Sequence, residues 1–289
     1  MKLSFWLLDI NPKIDDEKIE IWLWGIDTAG NRVLLIERNF TAYFYAVLAG
    51  GVDASKTADA IMKGYASSIV KAEIVERRYF GKPVTAIKVS CRAATETTKL
   101  AKQIRSVEGV NDCFEDDVRA AMRYLIDNNL EPCSWHDVDV SEEDHQETVR
   151  AAKIYAVNSP PKRLENEKAP TLRVLGFSMI CYSREGAPKS DRNPVLILST
   201  VASGGEEKQF IANEGMDDKP VLKGFNDYIR AFDPDIIVSF GANKVDWTYL
   251  RGRSHTLGLH LDFDRAMLEP HTSVYGYVST TGIVNIDLA

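Results

Sequence analysis

The sequence predicts a mixed fold, α+β in its N-terminal part and α/β beyond it. Three observations carry that prediction. The first third alternates apolar and polar residues at the two-residue period of half-buried strands. Residues 42–114 then run strand, helix, strand, strand, helix, strand. Beyond residue 171, three strand patterns are followed by a helix, an apolar strand and a second helix.

Each element has its own signal. The runs "LSFWLLDI", "KIEIWLWGID", "RVLLIER" and "AYFYAVL" are rich in β-branched and aromatic residues, and "NPKIDDE", "TAGN" and "NFT" between them read as turns. After Gly50-Gly51 the period changes. Ala58, Ile61, Met62, Tyr65 and Ile69 form the stripe of an amphipathic helix. The strands "AEIVERRYF" and "VTAIKVSC" are joined by "GKP". A helix with Leu100, Ile104 and Val107 on one face leads to the short strand "VNDCF". This order predicts a ferredoxin-like βαββαβ unit within an N-terminal domain over residues 1–130. A further helix is expected to gather Val118, Ala121, Met122, Leu125 and Ile126 on one side.

The stretches "DVDVSEEDHQE" and "NSPPKRLENEKAP" are acidic or Pro-containing, and predict a solvated connecting segment over 131–170. A second unit is expected over 171–289: strands "LRVLGFSMICYS", "NPVLILSTVA" and "EKQFIAN", the helix "VLKGFNDYIRAF", the strand "DIIVSF" and a helix starting near Lys244. That is the order of a ribonuclease-H-like core, and order alone does not fix function. The sequence stops at "GIVNIDLA", a strand pattern, so a truncated unit is expected.

Totals bound the function. A chain of 289 residues accommodates about two domains. With 45% hydrophobic and 27% charged residues it has a soluble protein's composition. No apolar run approaches the ~20 residues of a bilayer span. Asp9 interrupts the opening "MKLSFWLLDINPK" and no small-residue cleavage site follows, which predicts a first strand and a cytoplasmic protein. Cys91, Cys113, Cys133 and Cys181 form no CxxC pair and are read as reduced thiols. A net charge of −7 argues against holding nucleic acid by bulk positive charge and leaves room for a local basic face.

The stretches "RYLIDNNLEP", "LRVLGFSMICYSREGAPKSDRNPVLILS", "DPDIIVSFGANKVDWTYL" and "EPHTSVYGYVSTTGIVNIDL" together resemble the N-terminal and proofreading-exonuclease region of the archaeal family B DNA polymerases. "LLDI" and "FTAYFYAVL" resemble it as well, so the likeness covers nearly the whole chain. It implies a truncated ribonuclease-H-like exonuclease domain over 171–289 and DNA, template or primer strand, as a partner. It also implies palm, fingers and thumb polymerase domains, in the same or a partner chain. An intact family exonuclease uses four carboxylates to hold two divalent ions, which activate a water and stabilise the leaving oxygen. Hard Mg²⁺ prefers such acidic oxygens.

The first two acids stand in the family as Asp-x-Glu on one strand. Here Ser178 occupies the Asp position and Ile180 the Glu position. Two residues apart, they share one sheet face. The second motif resembles Asn-x-x-x-Phe-Asp, with Gly241 for the Asn, Val245 for the Phe, and Asp246 retained. Asp246 is read either as a remaining ligand or as an ordinary Asp near a helix N-terminus. The expectation is an inactive exonuclease with no cofactor in this chain and no metal site beyond, at most, Asp246.

Archaeal relatives also carry a pocket that captures template uracil, built from a first-turn Tyr, a Pro-Tyr pair and a Pro-rich stretch. Here Pro12, Ala42-Tyr43 and "AATETT" from Ala93 to Thr98 stand at those places, and only Tyr43 matches. Loss of rigid walls argues against tight uracil capture. Tyr43 and Tyr45 share a strand face, where aromatics either stack bases or pack as core. Arg251 and Arg253 are candidates for phosphate contact or solvated surface. His255 and His260 are five apart, do not share a helix face, and have no Cys or carboxylate spaced to complete a zinc set. Gly50-Gly51 and "SGGEE" lack the GK[ST] of a phosphate loop.

Three functions follow. The first is the N-terminal and exonuclease portion of a family B polymerase, scaffolding template DNA. The second is a free-standing, non-catalytic subunit that binds DNA or a replication partner. The third is an active nuclease that recruits acids from elsewhere, with Asp262 and Asp264 as candidates.

Overall fold

The computed structural model describes residues 1–15, 18–144, 149–165, 168–273 and 276–289. Residues 16–17 of the first expected turn, 145–148 and 166–167 of the expected connection, and 274–275 of the tail lie outside the described residues.

Strands β1 (Lys2–Asp15), β2 (Lys18–Asp27) and β3 (Arg32–Glu37) form an antiparallel meander. The Asp27 carboxylate accepts from the backbone N–H of Ala29 and Asn31 at 2.9 and 2.8 Å, which holds the second turn with Gly30 at φ 84°. Phe5, Leu7, Ile21, Leu23, Val33 and Leu35 point to one core, while Trp22, Trp24, Leu34 and Ile36 are buried on the other face. Period-2 alternation predicts one wet face. Both are covered, because Ala151, Ile154 and Ala266 pack on the tryptophan side.

The chain continues through β4 (Tyr43–Leu48), α1 (Ala54–Gly64), β5 (Ile69–Tyr79), β6 (Lys82–Cys91), α2 (Thr97–Ile104) and β7 (Val110–Phe114). These strands make an antiparallel sheet in the order β5-β6-β4-β7. Asp53 caps α1 by accepting from Ser55 and Lys56 N–H. Phe44, Ala46, Ile87 and Val89 face Ala58 and Ile61 of α1 and Leu100 and Ile104 of α2.

Helix α3 (Ala120–Asp127) departs from its expected stripe. Met122 and Ile126 are 53% and 60% exposed, while Arg123, Tyr124 and Leu125 are buried. The reason is polar: the Arg123 guanidinium hydrogen-bonds Glu115 at 2.6 Å, an interaction that hydrophobic periodicity does not register.

The stretch 131–170 is not a mere connection. It supplies β8 (Trp135–Glu142), β9 (Lys153–Val157) and β10 (Lys162–Arg163) to the first sheet, whose order is β1-β2-β3-β9-β8-β10. An additional β1–β8 pairing closes this sheet on itself. The alternating "WHDVDV" carries the strand signal. Val138 and Val140 enter the core while its acids stay outside.

The remaining sheet has the order β13-β12-β11-β14-β17. It contains β11 (Val174–Cys181), β12 (Val195–Ala202), β13 (Glu207–Ile211), β14 (Ile236–Ser239) and β17 (Val284–Asp287), with α4 (Lys219–Phe232) between β13 and β14. A π-helical turn over Ala242–Asp246 leads into α5 (Trp247–Thr256), and a two-stranded pair, β15 (His271–Thr272) and β16 (Val278–Ser279), precedes β17. Leu175, Phe177, Leu198, Phe225, Ile237, Trp247 and Phe263 centre this core. No helix among the described residues is long and apolar enough to cross a membrane.

The first and last sheets are joined at Asp235, which is fully buried. Its carboxylate accepts from Arg32 Nε and Nη2 at 3.0 and 2.5 Å, from Arg265 Nη2 at 2.8 Å and from Arg173 N–H at 2.8 Å. Burial alone would raise this carboxyl. The donors from Arg32, Arg173 and Arg265 outweigh it and hold the group below its ordinary value. A second link runs from Gly282 N–H to Asp9 Oδ2 at 2.9 Å. Here desolvation wins and raises Asp9 from 3.8 to about 6.

Two outcomes are expected from unfolding by denaturant. Asp235→Ala leaves buried guanidinium groups unpaired and should destabilise the chain by about 3–5 kcal/mol. Asp9 acts in the opposite sense. The folded chain holds its proton more tightly than the unfolded chain, so its contribution falls as pH rises from 3.8 to about 6. Asp9→Asn, which keeps an acceptor for Gly282, should therefore be more stable than the parent near neutrality, with the gain vanishing below about pH 4. A constant gain at all pH values would refute that assignment.

Candidate functional site

Strand β11 sets the geometry. It pairs antiparallel with β12 along Leu175–Cys181 and parallel with β14 along Val174–Gly176, so its side chains alternate between core and solvent. Leu175 and Phe177 enter the core, while Ser178 and Ile180 are exposed, Ile180 by 56%. Ser178 lies opposite Ser199 in the ladder, and Ile180 opposite Ile197. An open depression of about 710 Å³ lies over this face, bordered by Ser178, Ser199, Glu207, Ser239 and Phe240. Phe240 is 76% exposed, which gives the depression an apolar margin.

Asp246 sits at the end of the π-helical turn and is buried. The Ser239 hydroxyl, at the carboxyl end of β14, donates to Asp246 Oδ2. Burial raises the Asp246 carboxyl, the Ser239 bond opposes that rise, and the charge of Asp287 adds to it. Asp287, missed by the sequence reasoning, stands at the end of β17 beside β14. Its signal is positional, since ligand-binding groups collect at the carboxyl ends of parallel strands. Both of its oxygens are already engaged: Oδ1 accepts from Gly241 N–H at 2.7 Å and Oδ2 from Asn243 N–H at 2.9 Å. These backbone donors, with that of Ala289, hold Asp287 down at about 2.

The other acids considered as replacements are occupied. Asp262 accepts from Asn226 Nδ2 at 2.9 Å and from Arg230 at 3.3 Å. Asp264 accepts from Ala266, Leu268 and Thr281 N–H, which fixes the turn after Phe263. Among the described residues, the group of three or more potential ligands is His255, His260 and Glu269, and Asp246 is not in it. This corrects the expectation for the two histidines. They share no helix face, yet the chain reverses after α5 and brings Glu269 between them.

The expected nucleic-acid contacts divide. Arg253 is withdrawn: its Nε and Nη2 donate to the buried Asp218 carboxylate, both at 2.8 Å, with the guanidinium side chain only 11% exposed. A buried carboxylate needs a planar two-toothed partner, and Arg253 supplies it. Arg251 is half-buried and reaches the Pro270 carbonyl at 3.4 Å. Tyr43 and Tyr45 are 7% and 8% exposed, packed edge to face against each other and against Val47 and Ala86. They form core rather than an open stacking platform. The Tyr43 hydroxyl donates to Asp127 Oδ1 at 2.6 Å, with Lys88 Nζ 3.8 Å and the Arg123 guanidinium 4.4 Å from its ring centre. Burial and the Asp127 bond push its phenol up.

Pro12, Ala42, Tyr43, Ala94, Thr97 and Thr98 nevertheless come together around one cavity of about 1300 Å³. Arg119 and Arg123 also border it, as do Tyr277 and Asn285 from the last sheet's unit. The stretches compared with the uracil-pocket positions are thus neighbours in space. Pro12 apart, these lining side chains are small or hydroxylated, and Ala42 and the 93–98 stretch lack the prolines expected there.

Comparison with known proteins agrees with the architecture. Residues 111–289 match the family described as DNA polymerase family B, exonuclease domain. The chain is 34% identical to DNA polymerase 3 of Saccharolobus shibatae, over 99% of this chain and 37% of that protein. It is 32% identical to DNA polymerase 2 of Aeropyrum pernix, over 99% of this chain and 36% of that protein. The solved structure of the family B DNA polymerase from the hyperthermophilic archaeon Pyrobaculum calidifontis superposes with a TM-score of 0.90 at 36% identity, covering 99% of this chain and 36% of that one. The chain therefore spans little more than a third of the length of these relatives.

Arg253→Ala tests the reassignment of that residue. It should lower stability by about 3–5 kcal/mol, the usual cost of orphaning a buried charge. The salt dependence of any DNA binding should stay unchanged. A reduced salt slope without destabilisation would return Arg253 to the phosphate-contacting set.

Proposed function

The chain belongs to the family B DNA polymerases, in the region of their exonuclease domain, and from that premise we propose that it is a DNA-facing scaffold whose exonuclease-like unit does not cleave. The observation that carries this reading is the donor set on the β11 face. Ser178 offers a neutral hydroxyl, Ile180 offers nothing, and Asp246 is buried against Ser239. A pair of Mg²⁺ ions requires several anionic oxygens converging on one point. The residues present do not fit such a pair.

In this reading the last sheet is a ribonuclease-H-like unit and the β5-β6-β4-β7 sheet with α1 and α2 is a ferredoxin-like unit. Their strand orders support both assignments. The boundary between domains then falls after β10 rather than at residue 130, because β8 to β10 complete the first sheet. The partners are a template or primer strand and the palm, fingers and thumb domains of a polymerase, in a cytoplasmic setting. DNA contact is assigned to the rim of the large cavity, where the exposed Arg119 supplies positive charge. The small or hydroxylated Ala42, Ala94, Thr97 and Thr98 in its wall support an absence of uracil preference.

The test is one preparation read in two ways. With a labelled primer-template, anisotropy should show binding that weakens as salt rises and does not change when uracil replaces thymine in the template. The labelled 3′ end should survive incubation with Mg²⁺ or Mn²⁺. Metal-dependent shortening, lost in Asp246→Asn, would overturn the non-cleaving assignment. Failure to bind at low salt would overturn the DNA-facing one.

A further inference from the structure

We propose that His255, His260 and Glu269 form a surface site for one divalent transition-metal ion of the Zn²⁺ type. Their ligand atoms all lie within 4.8 Å of one another. His255 Nε2 is 2.7 Å from Glu269 Oε2, and His260 Nδ1 is 3.3 Å from Glu269 Oε1. Ligands about 2.0–2.2 Å from a tetrahedral ion stand roughly 3.3–3.5 Å apart. The three groups are thus near the required spacing before any ion arrives, and small side-chain rotations complete it.

The backbone fixes this arrangement. His255 lies in the last turn of α5, which ends where Leu257 N–H reaches Arg253 O at 3.1 Å and Leu259 N–H reaches Ser254 O at 2.8 Å. Gly258 then adopts φ 64°, a left-handed conformation that glycine tolerates and that turns the chain back. The reversal brings the His260 ring to 6.3 Å from the His255 ring, centre to centre. Glu269 is held from behind, because its Oε1 accepts from Leu261 N–H at 3.1 Å. That bond orients the carboxylate as a supporting group orients a metal ligand.

The donor chemistry selects the ion. Two imidazoles and a carboxylate suit Zn²⁺, Co²⁺ or Ni²⁺, whereas Mg²⁺ and Ca²⁺ take oxygen ligands. The histidine side chains are 52% and 82% exposed, so the ion has an open path and keeps coordination positions for water. The site stands at the end of α5 opposite Asp246, about 13 Å along the axis of a helix of this length. It is therefore separate from the β11 face and independent of whether that face cleaves DNA. A bound ion would clip the end of α5 to the segment that returns through Glu269, and would stabilise the fold by mass action.

The test is calorimetric titration of the chelator-stripped chain with ZnCl₂. A Cys133→Ser background is used, because Cys133 is the exposed free thiol among the described residues. One equivalent should bind saturably, and the unfolding temperature should rise with added Zn²⁺. His260→Ala and Glu269→Gln should each weaken binding by more than about 10–100-fold, the loss seen when only a supporting group is removed. Gln at 269 keeps an acceptor for Leu261, so the metal-free variants should unfold at the parent temperature. Co²⁺ in place of Zn²⁺ should give visible absorption bands that both variants lose. Absence of saturable binding, or binding that both variants retain, would overturn the proposal.

Discussion

The architecture turns on one buried carboxylate. Asp235 immediately precedes β14 of the last sheet, yet one of its guanidinium partners comes from Arg32 at the start of β3 in the first. Arg265 approaches from the segment after α5, itself fully buried. Two cations and a backbone N–H around one anion give each member a partner with its charge satisfied, which is the condition for burying charge at all. Such a knot contributes little net free energy relative to apolar packing. It does fix direction, because a two-toothed Arg–carboxylate pair tolerates only one relative placement of the strands that carry it.

That placement accounts for the large cavity. With β3 and β14 locked, the segment through Tyr277 to Asn285 lies against the wall formed by Pro12, Tyr43 and Thr97. Asp9 shows the cost of the closure, since its carboxyl is raised by desolvation despite the Gly282 bond. The cavity lies between units that an ion-pair knot holds in register, and its largely apolar lining carries Asp9, Asp116 and Asp117 beside Lys13, Arg119 and Arg123.

Legibility in the sequence followed the kind of interaction. Strands with apolar side chains at alternate positions were readable, as were α1 and α2, although Ile69 of the expected first stripe opens β5 and Val107 of the second lies beyond α2. The β8–β10 segment was not, because its acids face solvent and mask the inward Val138 and Val140. Helix α3 was misread for the converse reason: Arg123 is buried by pairing with Glu115, and a polarity pattern scores a buried Arg as surface. Arg253 repeats the error through Asp218. The His255, His260 and Glu269 cluster depends on a chain reversal after α5, so spacing alone could not assemble it. The substituted face at Ser178 and Ile180 was legible from a family likeness, whereas the engagement of Asp246 and Asp287 with neighbouring donors was not.

The persistence of Asp246 on a face without its acidic neighbours has a physical account in the fold itself. A carboxylate kept to bind a cation should be exposed to it and held anionic. Asp246 is instead buried, raised by desolvation and by the nearby Asp287, and partnered by Ser239. Asp287 in turn spends both oxygens on the backbone at Gly241 and Asn243, where the turn before α5 begins. The two acids thus tie β14 and β17 to the π-helical turn, a role that involves neither Ser178 nor Ile180. On β11 the substitutions fall on the solvent side, while Leu175 and Phe177 keep the core side filled. The groups that hold this part of the scaffold, Ser239, Asp246 and Asp287, are therefore distinct from the β11 side chains of Ser178 and Ile180.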